Sequence, residues 1–330
     1  MANNFKKKMT LDDFMSNESP GLMKIFDFAS NLPISLYVDT TAVKIPESCY
    51  SSSLLSKTHF LSETYLLNRK RNSLDLGLQY GVMGYSSFNA RASIVQKKLS
   101  EAEDVEKKNV VISLPQYKNL KNPLGAIIRA RRSIREMSDK SISLEELSTI
   151  LFYGDGVTGE MQLISEEKDF FPSNSLGDDY NATLRSAPSG GGLFPIDLYL
   201  VIRNVQGLRD GIYIYMPLNH SLKVVRYLDE QATEELKTVV EWGYNIESSK
   251  INVIVFYVYN LYNNSRKYLD MALDFAMIES GQISENIHLV STALTIASCD
   301  IGGFDKFKCE QFLGVDGLTK NIINVTILGN

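Results

Sequence analysis

The chain has 330 residues, 44% of them hydrophobic and 22% charged, with a net charge of -5, which is the make-up of a folded globular protein of one large or two medium domains. The mildly acidic balance disfavours nucleic acid as a partner, because phosphates call for a basic face, and no segment approaches the run of about 18 apolar residues that spans a membrane. The cysteines (Cys49, Cys299, Cys309) and histidines (His59, His220, His288) are scattered, without the spacing of a metal site or a Ser-His-Asp set, so no metal is expected and the histidines read as surface or packing residues.

In chain order, residues 1–13 carry positive charge with no apolar segment behind it. That is not the form of a signal peptide, and with an odd cysteine count it makes the cytoplasm the expected location. Up to about residue 118 the apolar residues fall in short irregular clusters such as Leu54-Leu55 and Tyr65-Leu66-Leu67, and a charged stretch from Lys97 to Lys108 follows. The reading is an N-terminal accessory region over residues 1–118, suited to peptide or partner contacts, ahead of a main domain over residues 119–330. From Asn122 the pattern sharpens: Leu124, Ile127 and Ile128 mark one face of a helix that delivers Arg131, Arg132 and Ser133 near its C-terminal end.

Ser143 and Glu146 form a capping-box pair ahead of Leu147, Ile150 and Leu151, and Gly154 is expected to stop that second helix. A poorly patterned stretch runs on to Asn181. Asp197 to Ile202 and Gly211 to Met216 read as neighbouring strands, the second closed by Pro217. Asn252 to Tyr259 is apolar throughout and reads as a buried central strand. Residues from about Tyr268 to Ser298 favour one long helix, apolar nearly all round and so buried in the core or against a second subunit. The Asp300 to Phe304 segment breaks it, and Ile322 to Leu328 reads as a terminal strand. The fold class is therefore α+β, a mainly antiparallel sheet flanked by helices with a long buried central helix.

Two features point to a ligand. Between Pro188 and Pro195 the chain holds Ser189 and three successive glycines, Gly190, Gly191 and Gly192, a backbone free to take positive φ and to lie flat against a ring. Upstream, Arg131, Arg132 and Arg135 offer forked donors matched to phosphate oxygens, and Ser133 adds a hydroxyl. Together they suit a planar, phosphorylated cofactor.

These residues, with Leu193-Phe194-Pro195, the helical segment from Gly281 to Asn286 and Ile301-Gly302-Gly303-Phe304, resemble the FMN-dependent nitroreductase superfamily. Pro195 to Val201 and Gly207-Leu208-x-x-Gly211-Ile212-Tyr213-x-Tyr215 resemble more narrowly its SagB/McbC-type branch, the dehydrogenases that form thiazoles and oxazoles in ribosomally made peptides of the bacteriocin and cytolysin type. The resemblance spans about residues 120–330. It implies a nitroreductase-like fold and a homodimer with FMN at the subunit interface, working on a precursor peptide in a complex with a cyclodehydratase. It places Arg131, Ser133 and Arg135 at the FMN phosphate and ribityl chain, with Arg132 in the same cluster. Pro188, Ser189, Gly190 and Gly191 would line the isoalloxazine ring, and Asn286, Gly302 and Gly303 would complete the flavin side.

Aromatising an azoline ring removes a proton and a hydride from adjacent carbons, so the protein must supply a base. The resemblance assigns that role to Lys267 with Tyr268 beside it. An amine serves as a base near neutral pH only where its surroundings favour the uncharged form. The chain departs from the branch in having Asp274, Gln282 and Glu285 where arginine, histidine and glutamine are frequent. Two other readings stay open: a general nitroreductase or flavin reductase using NAD(P)H, and a scaffold of a biosynthetic complex without catalysis.

Overall fold

The structure, a computed structural model, describes residues 110–162, 181–240 and 246–330, with Tyr65 and Val82. The expected accessory region, with Cys49, His59 and the Lys97 to Lys108 stretch, lies almost wholly outside those residues. The chain divides into two units, Met1–Leu76 and Gly77–Asn330, and every element named below belongs to the second.

Strand β1 (Val111–Ser113) pairs with a strand more than a hundred residues later, so the sheet begins before residue 119. Helix α1 (Leu124–Ala130) follows and buries none of its residues; the expected apolar stripe exists, but Leu124 and Ile128 on it are more than half exposed. Helix α2 (Leu144–Asp155) starts on the expected capping box, with the Ser143 hydroxyl accepting from the Glu146 N–H and the Glu146 carboxylate from the Ser143 N–H. Gly154 does not stop it. The helix runs to Asp155 with Gly156 as its C-cap, and Gly154 is needed for another reason: a Cβ there would lie 2.9 Å from Ile287 Cγ1.

Strands β2 (Val157–Gln162) and β3 (Asn181–Arg185) form an antiparallel ribbon where the sequence shows only a poorly patterned stretch. Among the residues of these strands whose burial is described, none belongs to the hydrophobic core, and no apolar alternation marks them in the sequence. After β4 (Ile196–Ile202) and β5 (Gly211–Met216) come two elements the pattern missed, β6 (Ser221–Tyr227) and α3 (Glu230–Val240). Then follow β7 (Val253–Asn260), α4 (Leu261–Tyr268), α5 (Ala272–Ala293), β8 (Ala297–Asp300), α6 (Lys306–Leu313) and β9 (Lys320–Gly329). Seven strands make one sheet in the order β1-β6-β5-β4-β7-β9-β8, and every pair in it is antiparallel.

The unbroken apolar run of β7 has a direct cause. Side chains alternate faces along a strand, and here both faces are covered. Val253, Val255, Tyr257 and Tyr259 enter one core, shared with Leu147 and Ile150 of α2 and Ile283 and Ile287 of α5. Ile254, Phe256 and Val258 enter the other, with Leu236 of α3 and Phe312 of α6.

The long helix is shorter than the pattern suggests. The backbone breaks at Leu269 (φ 48, ψ -128), so Tyr268 ends α4 and α5 begins at Ala272, and residues up to Ser298 include the sheet strand β8. No Gly or Pro marks either boundary, which is why sequence punctuation misses them. Nor is α5 apolar all round: it buries Asp274, Glu279, Ser280, Ser284 and His288 and leaves Met277 and Ile278 more than half exposed.

Candidate functional site

The glycine turn is closed by one residue. Ser189 accepts from Gly192 N–H through its carbonyl at 3.0 Å and from Phe194 N–H through its hydroxyl at 2.9 Å. Gly191 and Gly192 both stand at φ 65, a conformation that costs a residue with a Cβ. Phe194 nevertheless takes φ 46 and is buried. The turn ends where Pro195 O accepts from Asn260 N–H at 2.8 Å. Asn260 closes β7 and is the N-cap of α4, so the end of the turn and the start of α4 meet at one corner of the sheet.

Helix α4 carries Lys267 and Tyr268 in its last turn. They come back onto the glycines. A Cβ on Gly191 would fall 2.6 Å from Tyr268 Oη and 2.8 Å from Lys267 Nζ. Gly190 faces Phe275, whose ring atoms would stand 3.5 Å from a Cβ there, and Phe275 meets the Tyr268 ring edge-on at 4.7 Å between centroids. Lys267 Nζ lies 5.3 Å from the Tyr268 centroid. Buried Asn264 holds the corner: its Oδ1 accepts from Tyr259 OH at 2.9 Å and its Nδ2 donates to Ala272 O at 2.8 Å. Asn286 Nδ2 stands 3.5 Å from the carbonyls of both Gly154 and Ser186, at the base of the same turn, while Pro188 is exposed on its outer side.

The arginine segment lies along the sheet edge. Arg131 is the C-cap of α1, and Arg132 turns back on that helix, its Nη1 donating to the carbonyls of Arg129 at 2.9 Å and Arg131 at 2.7 Å. Ile134 N–H donates to Ser298 O at 3.0 Å, which sets Ser133 and Arg135 beside Cys299 of β8. Burial raises the Cys299 thiol pKa, against the opposing pull of Arg135 and Ser133. Ser133 and Arg135 are exposed. Gly302 and Gly303 follow directly on β8.

Just before those glycines Asp300 accepts from Ser284 Oγ at 2.8 Å, from Thr326 Oγ1 and from His288 Nε2 at 3.1 Å. Burial opposes its ionisation, yet the bonds from His288, Thr326 and Ser284 outweigh that and hold the carboxyl below its ordinary range. His288 is buried and also meets Ser298 Oγ at 2.8 Å, so the packing role read for it is a polar one.

Gly190, Gly191, Lys267 and Tyr268 are thus brought together, with Asn286 at the foot of the turn. Ser133 and Arg135 form a separate group beside the strand that leads to Gly302 and Gly303. Phe275, which the sequence reading missed, had no local signal: only the fold sets it against Gly190. The residues suit a flat, phosphorylated cofactor. Among the described residues, chain neighbours apart, no atom stands within 4 Å of a Cβ at Gly192 or Gly302, which suits the approach of a ring there, and the exposed donors suit an anionic tail. Among the described residues no helix is long and apolar enough to cross a membrane.

The nitroreductase family model matches residues 128–329. The chain belongs to the nitroreductase family. The match runs from the last turn of α1 through every element from α2 to β9 and makes the chain an oxidoreductase by family. A protein of Methanocaldococcus jannaschii assigned as a nitroreductase is 30% identical over 204 residues, covering 62% of this chain and 89% of that one. A crystal structure of a nitroreductase-like protein from Ralstonia eutropha JMP134 covers 67% of this chain and 89% of its own, at 21% identity and a TM-score of 0.50; the two share the fold. The E. coli microcin synthetase McbBCD complex with truncated pro-MccB17 bound contains a chain 17% identical, with 79% of this chain and 99% of that one covered and a TM-score of 0.48.

Proposed function

We propose that this nitroreductase-family chain is an FMN-dependent dehydrogenase that oxidises thiazoline or oxazoline rings in a ribosomally made precursor peptide to thiazoles or oxazoles. The observation that carries the reading is the convergence of Lys267 Nζ and Tyr268 Oη on Gly191. A base held against the turn assigned to the ring is what abstraction of a ring proton requires.

FMN, when bound, supplies hydride acceptance at N5. Pro188, Ser189, Gly190 and Gly191 are assigned to the face of its ring, with Asn286 at the foot of that wall. Arg131, Ser133 and Arg135 take the phosphate and ribityl chain beside Gly302 and Gly303, and Arg132 shapes the turn that presents them. Lys267 Nζ takes the proton from the azoline carbon, and Tyr268 orients that amine. Leu124 and Ile128 on α1 and Met277 and Ile278 on α5, all more than half exposed, are the apolar surface for a second copy of the chain. The region ahead of β1 is assigned to the precursor peptide and the cyclodehydratase.

The test uses the purified full chain, the cyclised peptide and the cyclodehydratase. Wild-type protein should be yellow and remove two hydrogens per ring by mass. Lys267→Ala should keep its FMN and lose ring oxidation. Full ring oxidation by that variant would remove Lys267 as the base. Rapid bleaching by NAD(P)H without ring oxidation would make the protein a flavin reductase, and a protein that takes up no FMN would make it a scaffold.

A further inference from the structure

Behind the glycine turn sits a buried ion pair that the proposed chemistry does not use. Arg185, the last residue of β3, donates from Nη1 to Asp155 Oδ2, the last residue of α2, at 2.7 Å, with side chains 1% and 3% exposed. Its guanidinium also lies over the Phe194 ring, 4.2 Å from Cζ to the centroid. Among the described residues its Nε, buried, has no hydrogen-bond partner.

Stability alone gives little reason for this arrangement, since buried ion pairs are often no better than apolar packing of the same volume. A guanidinium placed to collect hydrogen bonds would not leave Nε without one. Its charge sits over a ring instead, and that ring belongs to the one residue of the turn with a Cβ at positive φ. Phe194 also supplies the N–H that closes the turn on the Ser189 hydroxyl. Fixing the Phe194 ring therefore fixes its backbone, the Ser189 bond, and through them the height of Gly191 against Lys267 and Tyr268. Ser186, next to Arg185, is anchored by its own N–H to Gly156 O at 2.9 Å, so the stem of the turn is held at the ends of both α2 and β3.

We infer that Arg185 is a positioning residue for the candidate site: set over the Phe194 ring and held by Asp155, it sets the glycine turn at the distance that brings Gly191 against Lys267 and Tyr268. The functional meaning rests on the proposed flavin site, but the physical claim needs no flavin. Lysine in its place keeps the charge for Asp155 and loses the guanidinium over the ring; leucine at 194 keeps the ion pair and loses the ring.

The test is hydrogen exchange by mass spectrometry on the purified full chain, comparing wild type with Arg185→Lys and Phe194→Leu. In both variants the segment 189–195 should exchange at least about ten-fold faster, while segments in β7 and β9 keep wild-type rates. The double variant should exchange little faster than either single one. A turn that keeps its wild-type rate in both variants would overturn the inference, and so would acceleration of all segments together. If Arg185→Lys does not fold, Phe194→Leu alone decides, by the same two outcomes. With FMN added, the variants should show a displaced visible flavin band and a lower kcat at unchanged KM. Failure of wild type to take up FMN would count against the proposed function and leave the exchange result standing.

Discussion

Gly191 and Tyr268 are so close that a methyl group on the glycine would lie 2.6 Å from the phenol oxygen. The glycine is also at φ 65, so Gly191→Ala carries two penalties at once. The left-handed backbone alone should cost roughly 1–2 kcal/mol, and the clash must be relieved by moving Tyr268 or Lys267. A lower melting temperature together with loss of bound flavin is expected. Flavin retention at wild-type level with unchanged melting would break the link between this glycine and the site.

The two neighbouring arginines should behave differently. Arg131→Ala should remove one charge-assisted contact to the FMN phosphate, about 1.5–3 kcal/mol, or roughly ten- to a hundred-fold in affinity. Arg132 already donates to the carbonyls of Arg129 and Arg131, so Arg132→Ala should weaken FMN binding far less. Titration of the flavin-free proteins with FMN, followed by fluorescence quenching, separates the two. Equal losses would mean that Arg132 leaves the helix to hold the phosphate.

Gly154→Val tests the crossing of α2 and α5. The added Cβ alone would stand 2.9 Å from Ile287 Cγ1, and extra methyl groups in a packed core typically cost about 1–3 kcal/mol. The urea midpoint should fall accordingly. An unchanged midpoint would mean that the helices slide apart freely.

His220 predicts a pH effect. Burial holds its pKa below the usual imidazole value, with the Pro115 carbonyl pulling the other way. The Ser148 hydroxyl donates to Pro115 O, so it accepts from His220 Nε2, and His220 Nδ1 accepts from Tyr215 OH; the neutral ring is satisfied on both sides. A group whose folded pKa is depressed gives stability above its unfolded value, about 6.5, and loses it as pH falls through the folded value. Wild type should therefore lose more stability than His220→Asn between pH 7.5 and 5.5, with asparagine chosen because the site has φ 45. Parallel denaturation midpoints in the two proteins would dismiss His220 as the source.

Strands β4, β5 and β7 were legible because both of their faces are buried, while β1, β6 and β8 of the same sheet were not, and the Ser143–Glu146 capping box was legible because its signal is local. The β2–β3 ribbon was not, since none of its residues with described burial joins the hydrophobic core. The break at Leu269 was missed because a non-glycine residue takes positive φ there, which no residue type announces. At the site, the glycine turn stands out in the sequence and the Lys267-Tyr268 pair is marked only by the family resemblance, and their meeting depends on long-range strand pairing. The brace of Asp155, Arg185 and Phe194 is invisible until three separate elements are folded together.

The glycine turn ends at Pro195, α4 starts after Asn260, and between them Ile196 pairs with Tyr259 in the β4–β7 ladder. The ladder thus acts as a ruler for the corner. Deleting one residue within β7 would draw α4 back by about 3.3 Å and exchange the faces of the strand beyond the deletion. Whole-turn changes within α4 would leave the ruler untouched, so the chemistry offered to the glycines can be exchanged while the sheet that measures the distance stays as it is.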